Sequence, residues 1–301
     1  MTRQAVPDWR LQQERSHALV LKAMAWISLA LGRRVGRVVL LGIVAYFALF
    51  APKARRASRV YLQRVLGRPA GWWATVRHLH CFASTIHDRI YLLSDRFELF
   101  DIAVEGAESV QAALAHQPGA LLVGGHLGSF EVLRALGRRT AGLKVCMMMY
   151  EDNARKINAI LQAINPQAAH DIVPLGRVDS MLAVRERLDA GHLVGLLADR
   201  TLAGDALERI DFLGQAAHWP VGPWRVAALL RRPVFFMVGL YLGGKRYQVR
   251  LEQIADFSAS TRETRQADIK AAMQRYVACL EQGCRQAPCN WFNFYDFWQE
   301  E

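Results

Sequence analysis

From Phe97 to the carboxyl end, short aliphatic runs alternate with amphipathic stretches, and this alternation restricts the fold more than any other feature of the chain. FDIAVEG, GALLVGG, LKVCMMMY, HDIVPL, HLVGLLAD and PVFFMVGLYL have the length and aliphatic density of buried strands. Between them ESVQAALAH, SFEVLRALGRR, DNARKINAILQAI, DSMLAVRERLDAG and VGPWRVAALLRR repeat apolar positions at helical spacing. Strands this apolar have no face to give to water, so the pattern predicts an α/β fold: a mostly parallel central sheet flanked by helices. YQVRLEQI adds a late strand and RETRQADIKAAMQRYVACLEQGC a long C-terminal helix. The chain has no internal repeat, low-complexity tract or long linker.

Residues before Phe97 read differently. From about 10 to 95 the pattern is helical throughout, with Trp72, Val76, Leu79, Phe82, Ile86 and Ile90 on one side of a single segment. The first twenty residues are polar and charged where a secretory signal needs an apolar core. Apolar character arrives in HALVLKAMAWISLALG and VVLLGIVAYFALFAP, each shorter than the ~20 residues of a spanning helix. Arg33, Arg34 and Arg37 precede the second stretch, and Lys53, Arg55, Arg56 and Arg59 follow it. A single span would carry one of those clusters across the bilayer, against the charge bias of cytoplasmic loops. Helices lying in the interface, or a shallow hairpin, place both clusters on anionic headgroups instead; a helical layer buried in the protein is the other outcome. The division expected is an N-terminal helical membrane-associating module over 1–95 and an α/β domain over 96–301.

The formal charge of +11 speaks of anionic partners. Its basic residues cluster beside apolar helices and not along an aromatic platform, so lipid is preferred and no nucleic-acid partner is expected. Five scattered cysteines, with no CxxC pair, read as reduced thiols facing the cytosol.

Chemistry concentrates in LLVGGHLGSFEVLRAL, Leu121 to Leu136, where a strand gives way to a helix. In open α/β sheets side chains and free backbone N–H groups converge at such ends. His126 and Glu131 stand five positions apart, so on one continuous helix they would point about 140° from each other. They meet only if His126 sits in the loop and the helix begins near Gly128 or Ser129, with Glu131 in its first turn. Gly124, Gly125 and Gly128 permit that turn. Histidine takes a proton from a hydroxyl near neutral pH, and a glutamate on its other ring nitrogen would fix the tautomer and stabilise the cation. Ser129 lies outside a GxSxG elbow and at an N-cap position, so the base is expected to act on a substrate hydroxyl. A metal at this pair would need further ligands that no HExxH or Asp/His cluster supplies, and no metal or cofactor is expected. Asp199 follows HLVGLLA and so falls at a strand's carboxyl end, where an acid is better placed for a site than in mid-helix.

HLGSFE, LLADRTLAG and RIDFLGQAAHWPVGPWRVAALLRRPV resemble the lipid A late acyltransferases of Gram-negative bacteria, within the lysophospholipid acyltransferase superfamily. The likeness covers nearly the whole chain, with HxxxxE in its strand–turn–helix setting as the most specific element. It implies that His126 is the general base with Glu131 as its charge partner, and that Arg177, Asp199 and Arg200 contact or surround substrate. The superfamily's Glu-Gly-Thr-Arg block is replaced here by Asp199-Arg200-Thr201, which argues against a glycerol-phosphate acceptor. Pro233 resembles the last superfamily block; the superfamily's arginine block has no clear equivalent after MMMYEDNARK, with Arg155 as the candidate.

The function expected is therefore transfer of a fatty acyl chain from an acyl carrier protein or CoA thioester to a hydroxyl of a lipid or glycolipid. Backbone N–H groups at Gly128, or Arg177, would stabilise the oxyanion. Trp219, Pro220, Val221 and Trp224, with the terminal NWFNFYDFW, offer walls for an acyl slot, a membrane-interface belt or a segment docked on the core. The location expected is the cytoplasmic face of the bacterial inner membrane. A serine hydrolase using Ser129 and a non-catalytic membrane-associated pathway protein are the competing readings.

Overall fold

The computed structural model of the chain describes residues 18–139, 144–150, 172–175, 179–201 and 204–298. Helices α1 (Ala18–Phe50), α2 (Pro52–Leu66) and α3 (Trp72–Leu93) come first. Strands β1 (Asp101–Glu105) and β2 (Ala120–Gly124) flank α4 (Ala107–His116), and α5 (Phe130–Arg139) leads to β3 (Val145–Tyr150). Next come β4 (Ile172–Leu175), α6 (Ser180–Asp189), β5 (Leu193–Leu197) and a hairpin of β6 (Leu207–Phe212) and β7 (Gln215–Pro220). The chain continues through α7 (Gly222–Leu230), β8 (Pro233–Tyr241), β9 (Arg246–Asp256) and α8 (Arg265–Gln286).

Seven strands form one sheet in the order β1-β9-β8-β2-β5-β3-β4, parallel at every pairing except β8 with β9. This is the sheet that the alternation predicts. Both faces of β2 are covered, as its unbroken apolar run requires. Leu121 and Val123 face a core shared with α2, α7 and α8, whereas Ala120 and Leu122 face one shared with α3, α4 and α5. Strands β2 and β5 are neighbours although β3 and β4 lie between them in the chain, and that order brings their carboxyl ends together.

The β6–β7 hairpin is the element that the sequence pattern does not anticipate. Its strands mix polar with apolar residues, and Leu213 and Gly214 close it with φ of 53° and 82°. Two successive positive-φ residues give the turn whose twist suits a tight hairpin. Its Trp219, and Trp224 of α7, are buried in the core rather than lining an open slot.

The first apolar stretch ends at Gly32, whose φ of 82° breaks the helical path of α1. Beyond that break α1 exposes Val38, Leu41, Leu49 and Phe50, and Trp73 at the start of α3 is 79% exposed. Among the described residues no single helix is long and apolar enough to cross a membrane; Ser28–Phe50 and Pro52–Leu66 together reach that composition but are bent by 93°. Polar contacts hold α1 to the body. Arg33 makes two bonds to the buried Asp88 of α3, at 2.7 and 2.8 Å, and Arg37 donates to the Gly244 carbonyl in the β8–β9 turn.

Candidate active site

The loop between β2 and α5 carries His126, and α5 begins at Phe130 with Glu131 in its first turn, the arrangement that the five-residue spacing demands. Glycine makes the loop possible. Gly128 has φ +71°, and a Cβ there would lie 2.1 Å from the Gly239 carbonyl oxygen of β8. A Cβ on Gly125 would lie 3.1 Å from the Asp199 carboxylate. A side chain at Gly128 would push the loop off β8, and one at Gly125 would crowd the Asp199 carboxylate.

Asp199 lies two residues past β5 and grips His126 twice. Its Oδ2 accepts from the His126 backbone N–H at 2.8 Å, and its Oδ1 lies 2.7 Å from the imidazole Nδ1. A carboxylate only accepts, so Nδ1 carries the hydrogen and Nε2 is left with its lone pair. The Ala198 amide donates to the Gly124 carbonyl at 2.9 Å, which locks the two strand ends in the register that makes this contact.

The C-terminal segment completes the acid's surroundings. Trp291 Nε1 and Asn293 Nδ2 donate to Asp199 Oδ2 at 3.1 and 2.8 Å, and the Phe292 amide donates to the His126 carbonyl at 2.7 Å. Asn293 Oδ1 accepts from Arg200 Nε at 3.0 Å, so one amide joins the cation to the acid. The segment itself is pinned. Asn290 exchanges two hydrogen bonds with the backbone of Tyr241, and His78 of α3 reaches the Trp291 carbonyl at 2.8 Å. This is a docked segment, the third of the expected uses of NWFNFYDFW. Its two asparagines among aromatics were the available signal, because a buried amide needs partners on both ends.

The electrostatics favour a free base. Burial pushes the His126 pKa below its ordinary 6.5, the Arg200 charge adds to the effect, and Asp199 opposes it. Burial alone would raise the Asp199 pKa, but the imidazole contact and Arg200 hold it below the usual carboxylate range. The Asp199 side chain is fully buried, whereas that of His126 is 27% exposed, so the open nitrogen is reachable.

Other expected site residues fall out differently. Glu131 does not supply the imidazole's hydrogen bond. It is buried one turn into α5, where Arg134 lies 3.4 Å away, and Asp199 from the neighbouring strand takes the ring instead. Gly128 shapes the loop, but its amide is not open to an oxyanion: it donates to the Asn290 carbonyl at 2.8 Å, as the Ser129 amide does to Gly239 at 2.8 Å. Ser129 is buried, and among the described residues no hydrogen bond joins its hydroxyl to His126. Arg200 stands beside the pair; Arg177 and Arg155 lie outside the described residues. Among the described residues no group of three or more His, Cys, Asp or Glu side chains is placed to hold a metal ion.

Fold and site define an open α/β protein with a His–carboxylate pair where two parallel strands end. A family model for bacterial lipid A biosynthesis acyltransferases matches residues 18–300; the chain belongs to that family, and its chemistry is acyl transfer. Compared with individual curated proteins, the chain has no match.

Proposed function

We propose that the chain transfers a fatty acyl group from a thioester to a hydroxyl of a lipid or glycolipid acceptor, with His126 as general base. The 2.7 Å contact between Nδ1 and Asp199 carries this reading, because it leaves Nε2 as the one basic atom of the ring. Nε2 takes the hydroxyl proton as the acceptor oxygen attacks the thioester carbonyl. A C–O bond forms, the C–S bond breaks, and the imidazolium returns its proton to the departing thiolate. No acyl-enzyme is needed. Asp199 orients the ring and stabilises the imidazolium. Arg200 offers charge to the oxyanion in place of the engaged loop amides. Glu131, paired with Arg134, stabilises the start of α5 and, through it, the loop.

The donor is an acyl carrier protein or CoA thioester, and the excess positive charge suits an acidic carrier. The exposed apolar side of α1, with Trp73 and the basic residues around Phe50, suits a helix lying in the interface at the cytoplasmic face of the inner membrane. The division into a membrane-associating 1–95 and a catalytic 96–301 describes roles more than cores, since Tyr61 and Tyr91 pack into the cores of the sheet. Mass spectrometry of lipids from cells with and without the protein should reveal an added acyl ester that disappears in His126→Ala. An undiminished ester in that variant, with the protein folded, would end the proposal.

A further inference from the structure

Between Trp291 and Tyr295 successive side chains turn to opposite sides, the habit of extended backbone. Phe292 and Phe294 both pack on Phe82 of α3, with ring centres 5.3 Å apart in each pair. Trp291, Asn293 and Tyr295 face the other way, toward the two residues Asp199 and Arg200. The first two serve the carboxylate of Asp199. Tyr295 serves the arginine beside it. The Arg200 guanidinium carbon lies over the Tyr295 ring, 5.9 Å from its centre, while Arg200 Nε donates to Asn293 Oδ1 at 3.0 Å. One face of the planar cation is thus backed by an aromatic ring and one edge is held by an amide.

Arginine suits such a seat, because its plane stacks on an aromatic face and its fork fixes direction. The Tyr295 hydroxyl also donates to the Asp199 carbonyl, but at 3.5 Å this bond is at the limit of length, so the ring is the stronger hold. Burial pushes the Tyr295 pKa up, against the pull of the Arg200 charge, and keeps the hydroxyl neutral. The ring is itself fixed. Phe297 packs on it at 6.1 Å and on Trp291 at 4.8 Å, so the ring that backs the cation and the indole that bonds the acid belong to one aromatic cluster. A long side chain samples many rotamers, and a charge helps a transition state most when it is in place beforehand.

We infer that Tyr295 is a positioning residue: its ring holds the Arg200 guanidinium in the place from which it meets the developing oxyanion. The placement stands on these contacts, and its use in turnover rests on the acyl-transfer reading.

Steady-state transfer by the full chain in detergent, from dodecanoyl carrier protein to lipids extracted from Gram-negative membranes, separates the ring from the rest of the side chain. Tyr295→Leu removes the ring and should lower kcat about tenfold, with KM for the thioester within about twofold. Tyr295→Phe keeps the ring and should hold kcat within about threefold of the parent chain. Tyr295→Leu combined with Arg200→Gln should lose no more than Arg200→Gln alone, because the ring acts through the arginine. Nitrogen NMR supplies a reading that needs no turnover: the His126 pKa should rise in Tyr295→Leu, as in Arg200→Gln, and return toward the parent value in Tyr295→Phe. Should the leucine variant not fold, Tyr295→Met fills the space without a ring and must behave as Tyr295→Leu is expected to. A loss in Tyr295→Phe as large as in Tyr295→Leu, losses that multiply in the double variant, or a His126 pKa unmoved by loss of the ring would each overturn the assignment. A His126 pKa that moves as expected in a chain that transfers no acyl group would refute the acyl-transfer reading and leave the placement standing.

Discussion

Among the described residues a histidine ring meets a fully buried aspartate in two places, and they are built for opposite ends. At the strand ends, His126 Nδ1 lies 2.7 Å from Asp199, and its side chain is 27% exposed. Beneath α1, His87 Nδ1 lies 3.8 Å from Asp88, and its side chain is 1% exposed. Asp88 is claimed by Arg33 and Tyr247, and His87 Nε2 is bonded to Ser28 at 3.0 Å. Burial pushes the His87 pKa down to about 4, despite Asp88, and keeps the ring neutral in a contact that fastens α1. A His–Asp contact becomes a base only when the acid has no stronger cation and the far nitrogen is open. Position relative to the sheet supplies both conditions at His126.

The widest separation between the two regions should come from removing each acid's charge in turn. Asp199→Asn keeps the shape but can no longer hold the Nδ1–H tautomer, so kcat should fall on the order of 10³-fold with little change in Tm. Asp88→Asn leaves Arg33 without its counter-charge and should cost about 3 kcal/mol of stability, while kcat per folded molecule stays within about threefold. Thermal unfolding and steady-state assays on the same preparations test both; a stability loss at Asp199 and a turnover loss at Asp88 would reverse the assignment.

A smaller effect is expected one shell out. Asn293→Ala removes one of three donors to Asp199 Oδ2 and the acceptor of Arg200 Nε, and should lower kcat roughly tenfold. Asn290→Ala, which unpins the same segment from Tyr241 without touching the acid, separates loss of the amide from loss of the clamp. The smallest effect is a displacement of the pH profile, read apart from the loss of kcat that removing the oxyanion's charge brings. Arg200 lowers the His126 pKa, so Arg200→Gln should move the acid limb of kcat/KM to higher pH. The limb follows the fraction of free base, which rises with pH, so raising the pKa delays it. A limb that moves to lower pH would contradict the electrostatic account.

Much of this was legible in the sequence, for reasons tied to range. Strands buried on both faces leave continuous aliphatic runs, so the sheet could be read, whereas the β6–β7 hairpin mixes Glu, Arg and Asp with its apolar residues and could not. The loop around His126 followed from glycine and from the helical angle between two positions, both local quantities. The partner of the imidazole did not. Glu131 was the nearest acid in the chain, but Asp199 wins because sheet order seats β5 beside β2, and order is a tertiary result. Asp199 could be placed at a strand end without its pairing being visible. Trp291 and Asn293 were legible as aromatic and amide residues awaiting partners, with nothing local to say that the partner was a carboxylate some ninety residues earlier.

The most direct measurement is the tautomer of His126, read by nitrogen NMR on chain labelled at histidine, with its resonances assigned by their loss in His126→Ala. At pH 7 the account predicts a neutral ring with hydrogen on Nδ1 and a bare Nε2, a state lost in Asp199→Ala. An imidazolium at that pH, or hydrogen on Nε2 with Nδ1 bare, would contradict it.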